Sequence, residues 1–146
     1  MTKMEEVLKD LSTEFKMTII RNLKTFVGME ITKGDGGLKL TQIAYTEKML
    51  KQYEMDNAKP VKTPKILEES NQASLVKRDF PYRQLIENML YLSTKIRPDI
   101  LFAVNFSSRY IEEYTRDNIN DAKYILKYLR RSISEEIKYT DGEKLN

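Results

Sequence analysis

A proline in the middle of the most apolar stretch of the chain constrains the fold more than any other residue. Pro98 lies within residues 89–110, the longest apolar-rich region of the 146-residue sequence. Because proline fixes its own φ, lacks an N–H and disfavours the α region for the residue before it, one helix should end there. The same residue suits the first position of a second helix, whose dipole Asp99 would complement. We therefore predict two helices that meet at a corner, the second nearly surrounded by protein.

Apolar residues recur at three- and four-residue steps on both sides of this proline, the spacing of one helical face. The inward positions are Tyr82, Leu85, Ile86, Met89, Leu90, Ile100, Ala103, Val104 and Ile111. These side chains are predicted to form the core of the second half of the chain. A core by itself indicates no function.

The first part of the chain predicts a helix, a β-hairpin and a second helix. Apolar residues at helical spacing favour an amphipathic helix over residues 3–16. Residues 23–31 are rich in β-forming side chains, residues 38–41 form a second short run, and a glycine-rich turn separates them. Thr41 is the expected N-cap of a helix that continues through Tyr53.

The remaining chain predicts a loop, a helix and a strand. Residues 56–80 hold two prolines and few apolar side chains, so we expect a flexible linker there. Asp117 or Asn118 should cap a helix that ends at Arg131 and that buries Ala122, Ile125, Leu126 and Leu129. Residues 137–139, followed by an Asp-Gly turn, are predicted to begin another hairpin. The predicted fold class is α+β, with an amphipathic helix and a hairpin followed by a mainly helical half.

The amino-acid composition excludes several kinds of functional site. The sequence has no cysteine and no histidine, which excludes disulfides, thiolate metal sites and any serine–histidine triad. No apolar run approaches the ~18 residues of a membrane span, so we expect a cytoplasmic or nuclear protein with no membrane partner. A net charge of +3 indicates a nucleic-acid partner only where the basic residues cluster.

One helix face combines basic and aromatic residues. Its members are Lys123, Lys127, Arg130 and Arg131, with Tyr124 and Tyr128 beside them. Such a face can hold phosphates by charge and can hold a base or sugar by stacking. The alternative is a solvated face opposite the apolar stripe, and the residues alone leave both interpretations open.

No catalytic or metal-binding set is predicted from the residues. Arg97 and Asp99 could form a catalytic pair, but a lone Arg–Asp pair at a helix start is more often structural. Two-metal phosphoryl chemistry needs clustered carboxylates, and the sequence has no Asp-Asp pair.

Five sequence blocks, in matching order, resemble the Pol polyproteins of copia-type retrotransposons. They are Phe26-Val27-Gly28-Met29-Glu30-Ile31; Leu38-x-Leu40-x-Gln42-x-x-Tyr45; Lys59-Pro60-Val61-x-Thr63-Pro64; Arg97-Pro98-Asp99-Ile100 with Phe102-Ala103-Val104 and Ser108-Arg109-Tyr110; and Ala122-Lys123-x-Ile125-Leu126-Lys127-Tyr128-Leu129. Of these, Phe26, Gly28, Arg97, Pro98 and Asp99 are motif residues with an expected structural role.

The resemblance implies a reverse transcriptase fragment with four segments. Residues 1–55 would be the end of the palm, 56–80 a linker, 81–132 a thumb-like helical region, and 133–146 the start of a ribonuclease H hairpin. In that family the polymerase aspartates precede this segment and the ribonuclease H aspartate follows it. The chain would then bind an RNA/DNA template–primer duplex without catalysing a reaction. It would need no cofactor of its own, although the family uses magnesium, and its protein partner would be the rest of a Pol polyprotein.

Departures from the family pattern keep a second interpretation open. Glu87-Asn88 replaces a Gly-Ser pair before the proline corner, and Arg131 replaces a glycine at a helix end. These changes suggest a decayed or repurposed transposon remnant that acts as a helical protein-interaction module. A salt-sensitive complex with a duplex would favour the first interpretation, and a salt-insensitive protein complex the second.

Overall fold

In a computed structural model, which describes residues 3–34, 37–65 and 80–140, the chain combines helices with an antiparallel sheet. The described elements are α1 (Lys3–Glu14), β1 (Thr25–Phe26), β2 (Met29–Gly34), β3 (Gly37–Thr41), α2 (Ile43–Gln52), α3 (Tyr82–Lys95), a 3-10 turn (Pro98–Ile100), α4 (Leu101–Ser108), α5 (Arg116–Arg131) and β4 (Ile137–Thr140). The predicted α+β class is confirmed, while the finer division into palm and thumb stays a prediction.

The four strands form one antiparallel sheet in the order β1-β2-β3-β4. The predicted hairpin is β2 with β3, in which Ile31 lies opposite Leu40. The strand predicted at residues 137–139 is confirmed as β4, and it pairs with β3. The turn and second strand that we expected after it lie outside the described residues, so the assignment of 133–146 to ribonuclease H stays a prediction.

The first β-forming run of the predicted hairpin, residues 23–31, contains parts of two strands. A tight turn at Val27 and Gly28 divides it into β1 and β2, and both residues have positive φ values, 48° and 72°. Glycine adopts this region readily, whereas valine does so rarely. The Tyr91 hydroxyl of α3 donates a hydrogen bond to the Val27 carbonyl, which fixes this turn against the helical half.

Helices α2 to α5 enclose the hydrophobic core. The buried apolar members are Met49, Leu50, Tyr53, Met55, Tyr82, Leu85, Ile86, Met89, Leu92, Ile100, Ala103, Val104, Tyr114, Ile119, Ala122, Ile125, Leu126 and Leu129. The predicted inward faces of α3 and α5 are therefore confirmed. α2, which the sequence placed in the first segment, packs its buried residues into this same core.

The corner at Pro98 is confirmed, with one correction to the helix after it. α3 ends at Lys95, Arg97 has left the α region (φ −118°, ψ 63°), and Pro98 begins the 3-10 turn that leads into α4. α4 is not nearly surrounded by protein, because Phe102 on it is 71% exposed. It packs on α3 and α5 along one side, through Ala103 and Val104.

The predicted N-cap of α2 is wrong, and a residue from another strand takes over the role. Thr41 belongs to β3, and Gln42 holds the cap position without a side-chain capping bond. The Glu30 carboxylate of β2 accepts the Ala44 N–H at 2.9 Å and the Thr41 hydroxyl at 3.2 Å. A carboxylate at a helix N-terminus satisfies an unpaired N–H and complements the dipole.

The predicted N-cap of α5 is also wrong, by two or three residues. Thr115 is the cap, with extended dihedrals (φ −103°, ψ 173°), and its hydroxyl accepts the Asn118 N–H at 3.3 Å. The Asn118 side chain accepts the Thr115 N–H at 2.8 Å, which completes a capping box. Asp117 lies in the first turn instead, where its charge complements the dipole.

Two further predictions concern the linker and the absence of a membrane span. Residues 66–79 of the predicted linker lie outside the described residues, so its flexibility stays a prediction. Among the helices that the structure describes, none is both long and apolar enough to cross a membrane.

Candidate nucleic-acid interface

The apolar stripe of α5 decides where its basic residues lie. Ala122, Ile125, Leu126 and Leu129 are buried against the core, which turns the opposite side of the helix outward. Lys123, Lys127 and Arg130 are half-buried there, and Arg131 is exposed. We call Lys123, Lys127, Arg130 and Arg131 the basic face of α5.

Contacts with the rest of the chain hold two cations of the basic face in place. The Arg130 guanidinium donates a hydrogen bond to the Ala58 carbonyl. The Lys123 ammonium lies 5.4 Å from the centroid of the Phe80 ring, within range of a cation–π interaction. Because these contacts use only part of each donor set, both side chains keep N–H groups for other acceptors.

Tyr128 makes internal contacts with Asp99 and Arg97, so its ring and hydroxyl are not both available to stack on a base. Its hydroxyl donates to Asp99 Oδ2 at 2.7 Å, and the Arg97 guanidinium carbon lies 5.6 Å from its ring centroid. Burial, and then the adjacent Asp99 carboxylate, raises the pKa of Tyr128. Tyr124 is half-buried on the same helix.

Arg97 and Asp99 join the proline corner to the end of α5. Arg97 is 3% exposed and grips both Asp99 oxygens, at 3.0 and 2.8 Å. Its remaining donors meet the Ser132 carbonyl at 2.8 Å and the Ser132 hydroxyl at 2.5 Å, at the C-cap of α5. All of these contacts are internal, and the structural role of the pair stays a prediction.

The ionisation of Asp99 is coupled to this network. Burial raises the pKa of Asp99, but hydrogen bonds from Arg97 and Tyr128 and the Arg97 charge outweigh it, so the pKa lies below its usual value. A depressed folded-state pKa contributes stability above the unfolded-state pKa of about 3.9 and loses it as pH falls through the folded-state value. The corner is therefore expected to weaken only in acid.

Acidic residues make the charge of α5 uneven along its length. Asp117 and Asp121 lie in its first half, and the pKa of Asp121 is raised, mainly by burial. Arg130 and Arg131 lie in its last turn. Positive charge is thus concentrated toward the C-terminal end, where it also complements the helix dipole.

Sequence reasoning missed two residues that position the hairpin against the helices. Glu30 caps α2 from a neighbouring strand, and Tyr91 holds the turn at Val27 and Gly28. Rings of Tyr91 and Tyr45 lie 5.1 Å apart, which adds an aromatic contact at this junction. Glu30 and Gly28 both stand in the resembling blocks, but no local pattern indicated their partners, since these lie far away in the sequence.

Within residues 3–34, 37–65 and 80–140, no group of three acidic side chains could hold a metal ion.

Comparison with known proteins shows which sequences this chain resembles. Residues 1–67 match the reverse transcriptase (RNA-dependent DNA polymerase) family. The chain is 31% identical over 137 residues to the retrovirus-related Pol polyprotein from transposon TNT 1-94 of Nicotiana tabacum, covering 83% of this chain and 10% of that protein. It is 30% identical over 146 residues to the Pol polyprotein from transposon RE2 of Arabidopsis thaliana, covering 98% of this chain and 10% of the relative.

A shorter relative matches as well. An uncharacterized mitochondrial protein of Arabidopsis thaliana is 30% identical over 147 residues, which cover 99% of this chain and 61% of that protein. The chain thus spans between about a tenth and three-fifths of the length of these relatives. No solved structure is significantly similar to it. The resemblance predicted from the five blocks is confirmed.

Proposed function

Because this chain is related to the reverse transcriptase region of retrotransposon Pol polyproteins, we propose that it is a reverse transcriptase fragment that binds a template–primer duplex. The single observation that carries the binding role is the basic face of α5, where cations cluster at one helix end. Nucleic-acid affinity depends mainly on such clusters, because each phosphate contact releases a counterion.

The contacts around the basic face support this role. Arg130 and Lys123 are held by Ala58 and Phe80, so they lose less conformational freedom on binding than unrestrained side chains would. Arg131 is exposed and Lys127 is half-buried beside them. Of the two tyrosines, Tyr124 is the better stacking candidate, because Tyr128 is engaged with Asp99.

The proposed contacts are with the nucleic-acid backbone. Backbone contacts carry no base readout, so affinity should be modest, on the order of 10⁻⁴ to 10⁻⁶ M at physiological salt. The chain has no Asp-Asp pair, and we expect it to bind without polymerase or ribonuclease H activity and without a cofactor of its own. Magnesium would act in the parent enzyme, and the location would be cytoplasmic or nuclear.

A salt titration of duplex binding tests the proposal. If all four cations meet phosphates, log affinity should fall with log salt at a slope of about −3 to −4. The double substitution Lys123→Gln and Lys127→Gln should flatten that slope by nearly two units, as measured by fluorescence anisotropy with a labelled RNA/DNA duplex. Glutamine keeps helix propensity, so the fold should persist.

A matched control distinguishes the effect of the basic face from the effect of the net charge of the protein. Lys48→Gln with Lys51→Gln removes the same charge from the exposed side of α2, and it should leave the slope unchanged. Circular dichroism and thermal unfolding of both double variants verify that the helices remain. If the α5 variant binds with the wild-type slope, the basic face is only a solvated surface.

An unchanged slope would favour the second candidate function, a role in protein–protein interaction. A helical protein-interaction module is favoured by the exposed apolar side chains near the start of the chain, such as Met4, Phe15 and Ile20. A protein complex that resists high salt, formed by a chain without duplex affinity, would support it.

A further inference from the structure

A short lysine-rich segment, residues 58–65, follows α2 outside the helices and strands. It carries three lysines, two prolines and no acidic side chain. Proline fixes its own φ and keeps the residue before it out of the α region, so Pro60 and Pro64 favour an extended chain here. We call residues 58–65 the lysine strap.

Both ends of the lysine strap are attached to helices. At its start, the Ala58 carbonyl accepts a hydrogen bond from the Arg130 guanidinium of α5. At its end, the Lys65 ammonium lies 2.8 Å from the centroid of the Phe106 ring of α4, which is a cation–π contact. The strap therefore begins beside the basic face of α5 and ends on α4.

Burial along the lysine strap repeats every three residues. Ala58, Val61 and Pro64 are half-buried, whereas Lys59 and Lys62 are exposed. Three residues per turn is the repeat of an extended, proline-favoured chain. One edge of the strap thus lies against the protein, and the two lysines share another edge that faces solvent.

Lys59 and Lys62 are the accessible cations of this region. Among the residues that the structure describes, no carboxylate lies within 4.0 Å of either ammonium. On α5, in contrast, Lys123, Lys127 and Arg130 are half-buried. A phosphate would therefore reach the two strap lysines with less desolvation of the surrounding protein.

The third lysine of the strap has a different environment. Burial lowers the pKa of Lys65, and the charge of Asp121 on α5 opposes that shift. Lys65 thus places a positive charge near the acidic first half of α5, where Asp121 would otherwise repel a phosphate. Its contact with Phe106 makes it an anchor of the strap, and leaves Lys59 and Lys62 as the lysines that can meet a ligand.

We propose that Lys59 and Lys62 contact phosphates, so that the duplex site extends from the basic face of α5 onto the lysine strap. This inference rests on the proposed function and adds a second element to its site. Each ammonium offers three donors to phosphate oxygens and reads no base. Because the strap is attached at both ends, its backbone loses little freedom when a duplex binds.

The salt dependence of duplex binding tests the two lysines. Four cations on α5 account for a slope no steeper than about −4, and two more contacts would bring the wild-type slope to about −5. Lys59→Gln with Lys62→Gln should flatten it by nearly two units, whereas Lys59→Arg with Lys62→Arg should keep it. Both side chains are exposed, so each variant should keep the wild-type unfolding temperature.

Lysine acetylation with and without the RNA/DNA duplex gives a second readout. At a duplex concentration ten times the Kd, about a tenth of the protein stays free. Acetylation of Lys59 and Lys62, followed by mass spectrometry, should therefore slow by about tenfold. Lys48 and Lys51 on the exposed side of α2 are the controls, and their reactivity should not change.

The outcomes distinguish this inference from the proposed function. If the Gln variant of the strap keeps the wild-type slope while Lys123→Gln with Lys127→Gln flattens it, the strap is no part of the site and only this inference is overturned. The reverse pattern supports the strap and refutes the role of α5. Equal flattening by Lys48→Gln with Lys51→Gln would reduce the effect to net charge and overturn the inference. A wild-type chain that binds no duplex would overturn both.

Discussion

Arg97 shows how much of the fold depends on the shape of one side chain. Its planar guanidinium meets both Asp99 oxygens and both oxygen atoms offered by Ser132, while the side chain is almost fully buried. A lysine has the same charge but cannot form the two-pronged contact. Geometry, and not charge alone, therefore holds the proline corner to the end of α5.

Arg97→Lys should lower the free energy of unfolding by about 1–3 kcal/mol at neutral pH, because buried oxygens lose their donors. Urea denaturation monitored by circular dichroism measures the change. The matched control is Arg83→Lys, in the exposed pair with Glu112, which should cost less than about 1 kcal/mol. Equal losses in the two variants would show that the corner network adds no stability.

Gly28 is a second residue at which geometry is decisive. It has φ +72°, and a Cβ added there would lie 2.5 Å from the Tyr91 hydroxyl oxygen. Gly28→Ala should therefore cost about 1–2 kcal/mol through backbone strain alone, with further loss if Tyr91 is displaced. Gly34→Ala is the control, since no atom lies within 4 Å of the added Cβ, and it should change stability by less than about 0.5 kcal/mol. A neutral Gly28→Ala variant would contradict the role of this turn.

At the scale of the elements, the N-termini of α2 and α5 gain side-chain hydrogen-bond acceptors in two different ways. α5 begins with a local capping box between Thr115 and Asn118. α2 begins with a carboxylate supplied by Glu30, 14 residues away from its hydrogen-bond donor Ala44. The capping box of α5 uses residues that are close in sequence. The contact at α2 forms only when the hairpin folds back onto that helix.

Thr115→Ala should destabilise the protein by about 1 kcal/mol, because the Asn118 N–H loses its acceptor at the start of α5. Thermal unfolding followed by circular dichroism provides the measurement. Thr94→Ala removes the same atoms from an exposed position in the last part of α3 and should be neutral within about 0.5 kcal/mol. If the two substitutions have the same effect, Thr115 does not cap the helix.

At the scale of the whole molecule, packing is distributed unevenly. β4 pairs with β3, which ties the strand after α5 to the hairpin that precedes α2. α2 to α5 share one buried core, whereas α1 contributes no residue to it. Local stability should follow this distribution, since amides open through local unfolding wherever few apolar groups are buried.

Hydrogen exchange should therefore separate α1 from the core. Amides of α3 and α5, around Leu85 and Leu126, should exchange only through global unfolding, while those of α1 should exchange orders of magnitude faster. Mass spectrometry of peptic fragments from a dilute sample measures both regions. Protection of α1 equal to that of α5 would mean that its apolar face is already covered in the isolated chain.

The sequence by itself determined the features that depend on neighbouring residues. Helical spacing identified the inward faces of α3 and α5, Pro98 marked the corner, and glycines marked the hairpin. The five blocks also indicated the resemblance to retrotransposon Pol polyproteins, to which the chain is about 30% identical. The clustering of cations on α5 followed from their spacing alone, although their binding role stays a prediction.

Only the tertiary structure decided which distant groups meet. It joined Glu30 to the start of α2, Tyr91 to the turn at Val27, Arg130 to the Ala58 carbonyl, and β4 to β3. It also left α1 without a packed face, although its spacing resembles that of the buried helices. Periodicity reports that a helix has an apolar side, but the partner of that side depends on long-range packing that no local pattern encodes.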